Sequence, residues 1–323
     1  MFYIQVALGF ILLLGGAEFL VRGAVALARR FGVSPILIGM TIVAFGTSAP
    51  EFVVSVQAAM SGAGSLALGN IVGSNIANVL LILGVSGLVR PIAMKGILLL
   101  RDGSLLIGGS LLVAVLLWLD AITFWSGVAM LGIYLGFLVF SYWQETAGGN
   151  GTAELYVKEV EEFHNLPKTL WGMWGAVLAG MFGVGYGADL LVDGGTGIAR
   201  SYGVSEEVIG LTMIAVGTSL PELVTSMVAA MRRHTDVAIG NVVGSNVINI
   251  LGVTGVAAIF APIPVPAQIV GFDLWVMLAS TVLLAAFLVG GWRFGRGHAV
   301  LFLGAYILYL AVQATGAPIL ITP

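Results

Sequence analysis

The sequence contains no cysteine, and charged residues occupy only 9% of its 323 positions. Without cysteine the chain has no disulfide, no thiolate metal site and no thiol nucleophile. The net charge is −3 and the basic residues are scattered rather than clustered, so we predict no nucleic-acid partner. Histidine is also scarce, and the three that occur, His164, His234 and His298, lie in or beside polar loops. They are therefore poor candidates for metal ligands.

Apolar residues are what the chain has in abundance: they make up 59% of it, and the mean hydropathy is +1.06. A soluble domain of this size cannot bury so much apolar surface, so lipid must solvate much of it. Segments of about 20 residues, long enough to cross a bilayer, occur ten times. We therefore predict an all-α polytopic membrane protein with ten transmembrane helices. The approximate segments, numbered 1 to 10, are 3–27, 35–60, 65–88, 97–118, 121–142, 170–197, 206–231, 236–260, 270–291 and 298–316.

One long polar stretch, 143–169, divides these segments into five plus five. We expect a first transmembrane repeat at 1–142, a cytoplasmic linker at 143–169 with a short helix at 153–163, and a second transmembrane repeat at 170–323. Segment 1 lacks a basic start and contains Glu18, so we interpret it as a permanent helix rather than a signal peptide.

Lysine and arginine set the predicted orientation, because they accumulate in cytoplasmic loops. With the N-terminus outside, eleven of them fall in cytoplasmic loops, Arg200 alone falls outside, and Arg22 lies within segment 1. We therefore predict a multi-pass protein of the cell membrane with both termini outside.

The chain repeats itself at a distance of 171 residues. GMTIVAFGTSAPEFVVS (39–55) matches GLTMIAVGTSLPELVTS (210–226) at ten of seventeen positions, and ALGNIVGSNIANV (67–79) matches AIGNVVGSNVINI (238–250) at eight of thirteen. Five helices per repeat is an odd number, so the second copy must have the inverted topology. Inverted repeats are a recurring design of secondary transporters, whose substrate site lies at the midplane where the repeats meet.

Segment 2 carries a polar motif in the middle of an apolar helix. Pro50 has no N–H and clashes with the carbonyl of Gly46, so we predict a kink or break there. A break frees carbonyl groups at membrane depth, which is tolerated where they line a protected cavity. Ser48, Glu51 and Ser55 follow i, i+3, i+7 spacing and share one face. Segment 7 repeats the pattern with Gly217, Thr218, Ser219, Pro221, Glu222 and Ser226.

Segment 3 adds a stripe of Asn70, Ser74 and Asn78 at i, i+4, i+8, and Gly69 and Gly73 leave room for a neighbouring helix. We expect segments 2, 3, 7 and 8 to be kinked or broken around one midplane ion site. The outer asparagine of each stripe, Asn70 or Asn241, suits a bond between helices as well as it suits contact with an ion. Segment 8 supplies Asn241, Ser245 and Asn249, with Gly240 and Gly244.

The ligands offered by these motifs are all hard oxygens, which suit Ca²⁺ and Na⁺. The two carboxylates, Glu51 and Glu222, would neutralise one divalent ion. A carboxylate in the membrane centre is costly, so a functional role is the default interpretation. The alternative is that both Glu side chains stay protonated and only bond neighbouring helices.

The motif pairs GTSAPE with GNIVGSNIAN and GTSLPE with GNVVGSNVIN resemble the sodium/calcium exchanger family of the cation/calcium antiporter superfamily, of the prokaryotic type, over essentially the whole chain. The resemblance implies that Glu51 and Glu222 are the central calcium and sodium ligands. It also implies that Ala44, Thr47, Ala215 and Thr218 contribute backbone carbonyls. The remaining ligands implied by the resemblance are Ser48, Ser74, Asn78, Ser219, Ser245 and Asn249.

One position departs from the family pattern. Family members often have aspartate where this chain has Asn249, so both symmetric positions, Asn78 and Asn249, are asparagine here. Asparagine resembles a protonated aspartate in charge, and the two Glu still balance Ca²⁺. Eukaryotic members carry a large regulatory domain between helices 5 and 6. The short connection here leads us to expect no calcium-sensing domain.

We therefore expect a secondary active transporter that exchanges Ca²⁺ for Na⁺ by alternating access, with Ca²⁺/H⁺ antiport at the same two Glu as the alternative. The predicted partners are inorganic cations and the lipid bilayer, with no cofactor and no obligatory protein partner. An intramembrane enzyme would need a nucleophile or a catalytic metal set that the motifs lack, and a passive channel fits inverted halves less well than alternating access does.

A second group of charges lies within segments 1 and 6. Glu18 and Arg22 are spaced to form an ion pair along one helix, and Asp189 and Asp193 occupy the related region of segment 6, where Asp193 is an alternative partner for Arg22. We expect a structural role for this group, because charges inside membranes usually pair. Ser205, followed by Glu206 and Glu207, is predicted to cap a helix.

Overall fold

The protein is described here by a computed structural model of residues 1–94, 96–120, 122–147, 167–202 and 215–315, which is almost entirely helical. Two short strands, β1 (Ile92–Ala93) and β2 (Arg293–Phe294), pair antiparallel. The helices, in chain order, are α1 (Phe2–Phe31), α2 (Pro35–Thr47), α3 (Ala49–Met60), α4 (Gly64–Val89), α5 (Gly96–Trp118), α6 (Phe124–Ala147), α7 (Leu170–Ser201), α8 (Ala215–Thr218), α9 (Leu220–Met231), α10 (Thr235–Phe260), α11 (Ile269–Gly290) and α12 (Arg296–Thr315).

Within these described ranges, eight helices are long and apolar enough to cross a membrane, and the bent pair α2 and α3 makes a ninth span. The prediction of an all-helical multi-pass membrane protein is therefore confirmed. The count of ten stays a prediction, because α9 is short and residues 203–214 before α8 lie outside the described part. The predicted cap at Ser205 and the predicted helix at 153–163 also lie outside it.

The element boundaries repeat at the same spacing as the sequence. Adding 171 to the bounds of α3 gives those of α9, and adding it to the bounds of α4 gives those of α10. Both α4 and α10 contain a π-helical segment at the matching place, Asn78–Ile82 and Ile248–Val253. The duplication therefore extends to irregular turns that no hydrophobic pattern specifies.

Two compact units make up the chain, and both are discontinuous. The first unit contains Met1–Ala49 and Leu138–Asn241, and the second contains Pro50–Phe137 and Val242–Pro323. The predicted division into two sequence repeats and a linker is a division by ancestry rather than by packing, and it stays a prediction.

The first unit is built on the contact of α1 with α7, which glycines bring into close approach. A Cβ atom added at Gly16 would lie 2.6 Å from the backbone nitrogen of Val184, and one added at Gly180 would lie 2.4 Å from that of Leu20. Such small residues let helix backbones approach closely where lipid removes the hydrophobic driving force. Around this contact lies an apolar core that includes Leu13, Leu20, Leu27, Val177 and Val184.

Polar contacts also stabilise the first unit. Arg22 pairs with Glu18 at 2.6 Å, as the sequence predicts, and Arg232 pairs with the same carboxylate at 2.7 Å. Helix α6 runs five residues beyond its predicted end, and Glu145 on it accepts hydrogen bonds from the backbone N–H and the hydroxyl of Ser34, at 2.8 and 3.0 Å. Ser34 is the N-cap of α2, so the end of α6 holds the start of the helix that carries the first motif.

In the second unit, the last turns of α4 pack against α12. A Cβ atom at Gly84 would lie 2.8 Å from the side chain of Leu303, and one at Gly87 would lie 2.5 Å from Phe294. Phe294 is fully buried and belongs to β2, which pairs with β1 just after α4 ends. The strand pair therefore holds the ends of these two helices together.

Candidate functional site

The first polar motif lies where α2 ends and α3 begins. Ser48 leaves the helical conformation, with φ −81° and ψ 8°, and the two helices are bent by 52°. Pro50 causes this break because it supplies no N–H to the preceding turn and crowds the carbonyl of Gly46. The kink predicted from Pro50 is therefore present in segment 2. Segments 3 and 8 run on as the single helices α4 and α10 and are interrupted only by their π-helical turns.

In the first unit, the break in segment 2 faces the carboxylate of the second motif. The hydroxyl of Ser48 donates to Oε1 of Glu222 at 2.8 Å, and both side chains are 1% exposed. The other oxygen, Oε2 of Glu222, has no hydrogen-bond partner among the described residues. A buried carboxylate with one free oxygen is costly unless a cation, a proton or water completes it.

Asn241 links three helices of the first unit. Its amide nitrogen donates to Oγ of Ser226 at 2.9 Å, and its amide oxygen accepts from the hydroxyl of Thr47 at 3.2 Å. The nitrogen and the oxygen of this amide each bond to another helix. The contacts of Asn241 in this unit are therefore those of a bond between helices, one of the two roles predicted for it.

The carbonyl of Ala44, expected from the family to bind an ion, already accepts hydrogen bonds here. The backbone N–H of Ser48 donates to it at 2.9 Å, and the Thr47 hydroxyl, whose one hydrogen is shared between this carbonyl and Asn241, lies 3.3 Å away. A carbonyl oxygen has two lone pairs. Ala44 can therefore keep the bond from Ser48 and coordinate an ion with its second lone pair when the Thr47 hydroxyl donates to Asn241.

The second unit contains the other carboxylate, Glu51, which is also 1% exposed. The amide nitrogen of Asn70 donates to Oγ of Ser55 at 3.0 Å, and the backbone carbonyl of Glu51 is 3.4 Å from the same nitrogen. The bond from Asn70 to Ser55 is the repeat equivalent of the bond from Asn241 to Ser226. Each asparagine fixes the serine one turn beyond the motif glutamate, so the two copies build the same local support.

Asn78 and Asn249, the inner asparagines of the two stripes, differ sharply from Asn70 and Asn241. Each is 1% exposed, and no described residue hydrogen-bonds with either the oxygen or the nitrogen of their side chains. A buried polar group without a partner costs about 1–3 kcal/mol, so a fold that keeps two such amides needs a ligand or water to satisfy them. Ser74 and Ser245, one turn earlier on the same helices, are also buried.

The structure thus distributes the residues expected from the sequence between the two units. The first unit contains Ala44, Thr47, Ser48, Ala215, Thr218, Ser219 and Glu222, and the second contains Glu51, Ser74, Asn78, Ser245 and Asn249. Each unit supplies one buried carboxylate together with hydroxyl groups, and the second unit adds amides. Thr218 and Ser219 are buried at the break between α8 and α9.

The glycines of the two motifs allow both helix breaks to lie close to α7. A Cβ atom at Gly46 would lie 2.5 Å from the Met181 side chain, and one at Gly217 would lie 2.5 Å from the Val192 side chain. Glycine therefore allows both copies of the Gly-Thr-Ser turn to lie against the same helix.

Sequence reasoning missed two more buried asparagines, Asn75 and Asn246, which directly follow the stripe serines in both copies of Gly-Ser-Asn. These two positions lie outside the i, i+4 stripes. The signal that could have identified them is that both copies of the repeat have asparagine there. Sequence reasoning also missed Asp102 and Asp273, which are buried near helix ends. Asp273 accepts from Tyr309 at 3.2 Å and from Gln313, which indicates a bond between α11 and α12.

The described residues contain no group of three or more His, Asp or Glu able to hold a metal ion. His234 lies in the turn between α9 and α10, where burial and the charge of Arg29 lower its pKa to about 4 against the opposing effect of Glu18. It is therefore neutral near pH 7 and adds no positive charge at this end of the first unit.

Comparisons with known proteins agree with this architecture. The family model described as sodium/calcium exchanger protein matches residues 1–143 and 172–315. A putative antiporter CaxA of Alkalimonas amylolytica is 39% identical over 87% of this chain and 88% of its own length. The sodium/calcium exchanger MaX1 of Methanosarcina acetivorans is 29% identical over 96% of this chain and 97% of its own. A solved structure of the sodium-calcium exchanger NCX_Mj, soaked with zero Na⁺ and Ca²⁺, has a TM-score of 0.83 and 32% identity, and the alignment covers 97% of this chain and 98% of that one.

Proposed function

The chain belongs to the sodium/calcium exchanger protein family, and from this premise we propose that it exchanges Ca²⁺ for Na⁺ across a membrane. The observation that carries the proposal is the family match, which covers both halves of the chain and leaves out only 144–171 and the last eight residues. The family is one of ion exchangers rather than enzymes, and the transported ions are substrates, so the proposal includes no cofactor.

Glu51 and Glu222 are the proposed charged ligands of the transported ions. Two carboxylates balance one Ca²⁺, and hard oxygens are the ligands it prefers. The burial of both carboxylates, and the lack of a hydrogen-bond partner for Oε2 of Glu222 among the described residues, support this role. The neutral ligands we propose, in addition to these two, are Ser48, Ser74, Asn78, Ser219, Ser245 and Asn249, with the backbone carbonyls of Ala44, Thr47, Ala215 and Thr218.

Ten spans in two inverted repeats complete the proposal. The equal offset of α3 from α9 and of α4 from α10, and the matched bonds of Asn70 and Asn241, support a duplicated fold. Inverted halves suit alternating access, because exchanging the conformations of the two halves converts an outward-open state into an inward-open one.

Sodium is the proposed driving ion. The relative MaX1 is named a sodium/calcium exchanger, and the proton alternative lacks comparable support. In proteoliposomes loaded with Na⁺ and diluted into Na⁺-free buffer, we expect rapid ⁴⁵Ca²⁺ uptake. Exchange of three Na⁺ for one Ca²⁺ would move one net charge, so an imposed membrane potential should change the rate. The measurement is the initial uptake rate with and without the Na⁺ gradient, at clamped potentials.

Liposomes without protein and proteoliposomes loaded with choline serve as controls for this experiment. Uptake driven by a pH gradient in the absence of Na⁺, and insensitive to the potential, would assign the chain to proton antiport instead.

We also propose the cell membrane as the location, with both termini outside. Cysteines introduced at the exposed positions Ser61 and Ala267 should react with an impermeant maleimide from outside intact cells. Cysteines at two exposed positions on the other predicted side, Arg233 in the turn before α10 and Arg293 in β2, should react only after permeabilisation. The native chain has no cysteine to interfere. Equal labelling of Ser61→Cys and Arg233→Cys in intact cells would contradict the inverted topology.

A further inference from the structure

Asn75 and Asn246 are repeat equivalents that the proposed ligand set does not include. Asn75 lies on α4 three residues before its π-helical segment begins, and Asn246 lies on α10 two residues before the corresponding segment. Both are only 1% exposed. A buried polar side chain that occurs at matching places in two apolar helices indicates that this side chain has a specific role in the second unit.

The amide oxygen of Asn75 is available to a ligand. Its amide nitrogen donates to the backbone carbonyl of Ile71 at 2.7 Å, which fixes the orientation of the side chain and directs the oxygen away from that bond. The oxygen has no hydrogen-bond partner among the described residues. In Asn246, neither side-chain atom has a partner within the same part of the chain.

Each of these asparagines lies beside a second amide in the same condition. Asn75 is three residues before Asn78, and Asn246 is three before Asn249; residues at this spacing are neighbours on a helix surface. All four amide oxygens are buried, and none has a hydrogen-bond partner in the described ranges. Helix α4 also packs against the π-helical segment of α10, so the two pairs lie on neighbouring helices of the second unit.

A group of neutral oxygens selects for cation charge. Amide oxygens are hard ligands that replace the hydration shell of Na⁺ or Ca²⁺. Without a carboxylate of their own, they leave the two charges of Ca²⁺ uncompensated in a low-dielectric interior, whereas Na⁺ leaves only one. An added amide therefore supplies a ligand without the negative charge that Ca²⁺ requires, and the two glutamates remain the groups that balance Ca²⁺.

We propose that Asn75 and Asn246 are specificity-determining Na⁺ ligands, and that each adds an amide oxygen beside that of Asn78 or Asn249. The inference rests on the proposed exchange of Ca²⁺ for Na⁺ and deepens it. It assigns the driving ion two ligands that Ca²⁺ does not use.

Ion binding to the purified protein in detergent tests this role without transport. A ligand that binds only the folded state stabilises it by RT ln(1 + [L]/Kd), so the dependence of the melting temperature on ligand concentration gives Kd, the half-saturating concentration. The protein is titrated with NaCl at constant ionic strength, balanced with choline chloride, and separately with CaCl₂. We expect Asn75→Ala and Asn246→Ala to raise the half-saturating Na⁺ concentration about tenfold and to leave that for Ca²⁺ within about twofold.

The matched control is Ser110→Ala, which removes a fully buried polar group whose hydroxyl donates to the carbonyl of Leu106 on its own helix at 2.7 Å. It should leave both titrations unchanged. If an alanine variant does not fold, Asn246→Asp replaces it and is expected to lower the half-saturating Na⁺ concentration, because it keeps the oxygen and adds negative charge.

The inference would be overturned if both alanine variants, or Asn246→Asp, had the same half-saturating Na⁺ concentration as the wild-type protein. So would equal weakening of Na⁺ and Ca²⁺ binding, which would show a general structural role. The proposed function fails in a different way: the wild-type protein itself would then show no stabilisation by Ca²⁺ or no Na⁺-driven Ca²⁺ uptake.

Discussion

Proteoliposomes containing the Glu222→Gln variant are expected to show no Na⁺-driven Ca²⁺ uptake, and the same is expected for Glu51→Gln. One remaining carboxylate leaves a divalent ion with an uncompensated charge in a low-dielectric site. Removing one partner of a buried charge pair costs about 3–5 kcal/mol, which corresponds to a loss of about a hundredfold or more in ion affinity. The measurement is ⁴⁵Ca²⁺ uptake per milligram of reconstituted protein.

Glutamine tests charge rather than shape at this position. Its amide oxygen can still accept the hydrogen bond that Ser48 donates to Glu222, so the variant should fold and elute as the wild type does on gel filtration. Ser61→Ala is the control, because Ser61 is exposed in the turn after α3 and its hydroxyl donates to the nearby carbonyl of Ala58. A transport rate near that of the wild type in either glutamine variant would place the charged ligands elsewhere.

Changing Gly16 to valine is expected to destabilise the whole first unit. A Cβ atom there meets the backbone nitrogen of Val184 at 2.6 Å and the carbonyl oxygen of Gly180 at 2.9 Å. Backbone atoms inside a helix cannot rotate away, so α1 and α7 must separate along their length. Overpacking typically costs 1–3 kcal/mol, and we expect a fall in melting temperature in detergent of about 5 °C or more.

The neighbouring glycine provides the matched control. A Cβ atom at Gly15 would have no described atom within 4 Å beyond its chain neighbours and the adjacent backbone of its own helix, so Gly15→Val makes the same chemical change one position away on α1. Both variants carry the same cost of a β-branched residue in a helix, so the difference between their melting temperatures isolates the contact with α7. Equal melting temperatures for the two would show that close packing at Gly16 contributes nothing.

The sequence predicted correctly those features that follow from a single residue and its position in a helix, whatever packs around it. Pro50 removes a donor and breaks segment 2, and a glutamate retained in an apolar helix, Glu51 or Glu222, is buried. The spacing of Glu18 and Arg22 gave their ion pair for the same reason, since i and i+4 face one another on any helix.

The remaining features depend on which helices meet, and a single helical pattern does not contain that information. Asn70 and Asn78 occupy one stripe, yet Asn70 bonds to Ser55 on another helix while the amide of Asn78 has no partner in the described part. Glu145 falls within the predicted polar linker, 143–169, yet its carboxylate accepts a hydrogen bond from Ser34, 111 residues away in sequence.

The π-helical segment of α4 changes the angular phase of the helix. A hydrogen bond from residue i+5 to residue i encloses one more residue than an α-helical turn does, so the residues after Ile82 fall behind the rotation that the first half established. The stripe that ends at Asn78 and the face of Gly84 that meets Leu303 are therefore set independently. Deleting one residue from this segment would restore α-helical phase and turn one of the two faces away from its partner. The extra residue of the π-helical segment thus allows one membrane span to carry polar groups in its first half and a close-packed surface in its second half. The direction that each half faces does not fix the direction of the other.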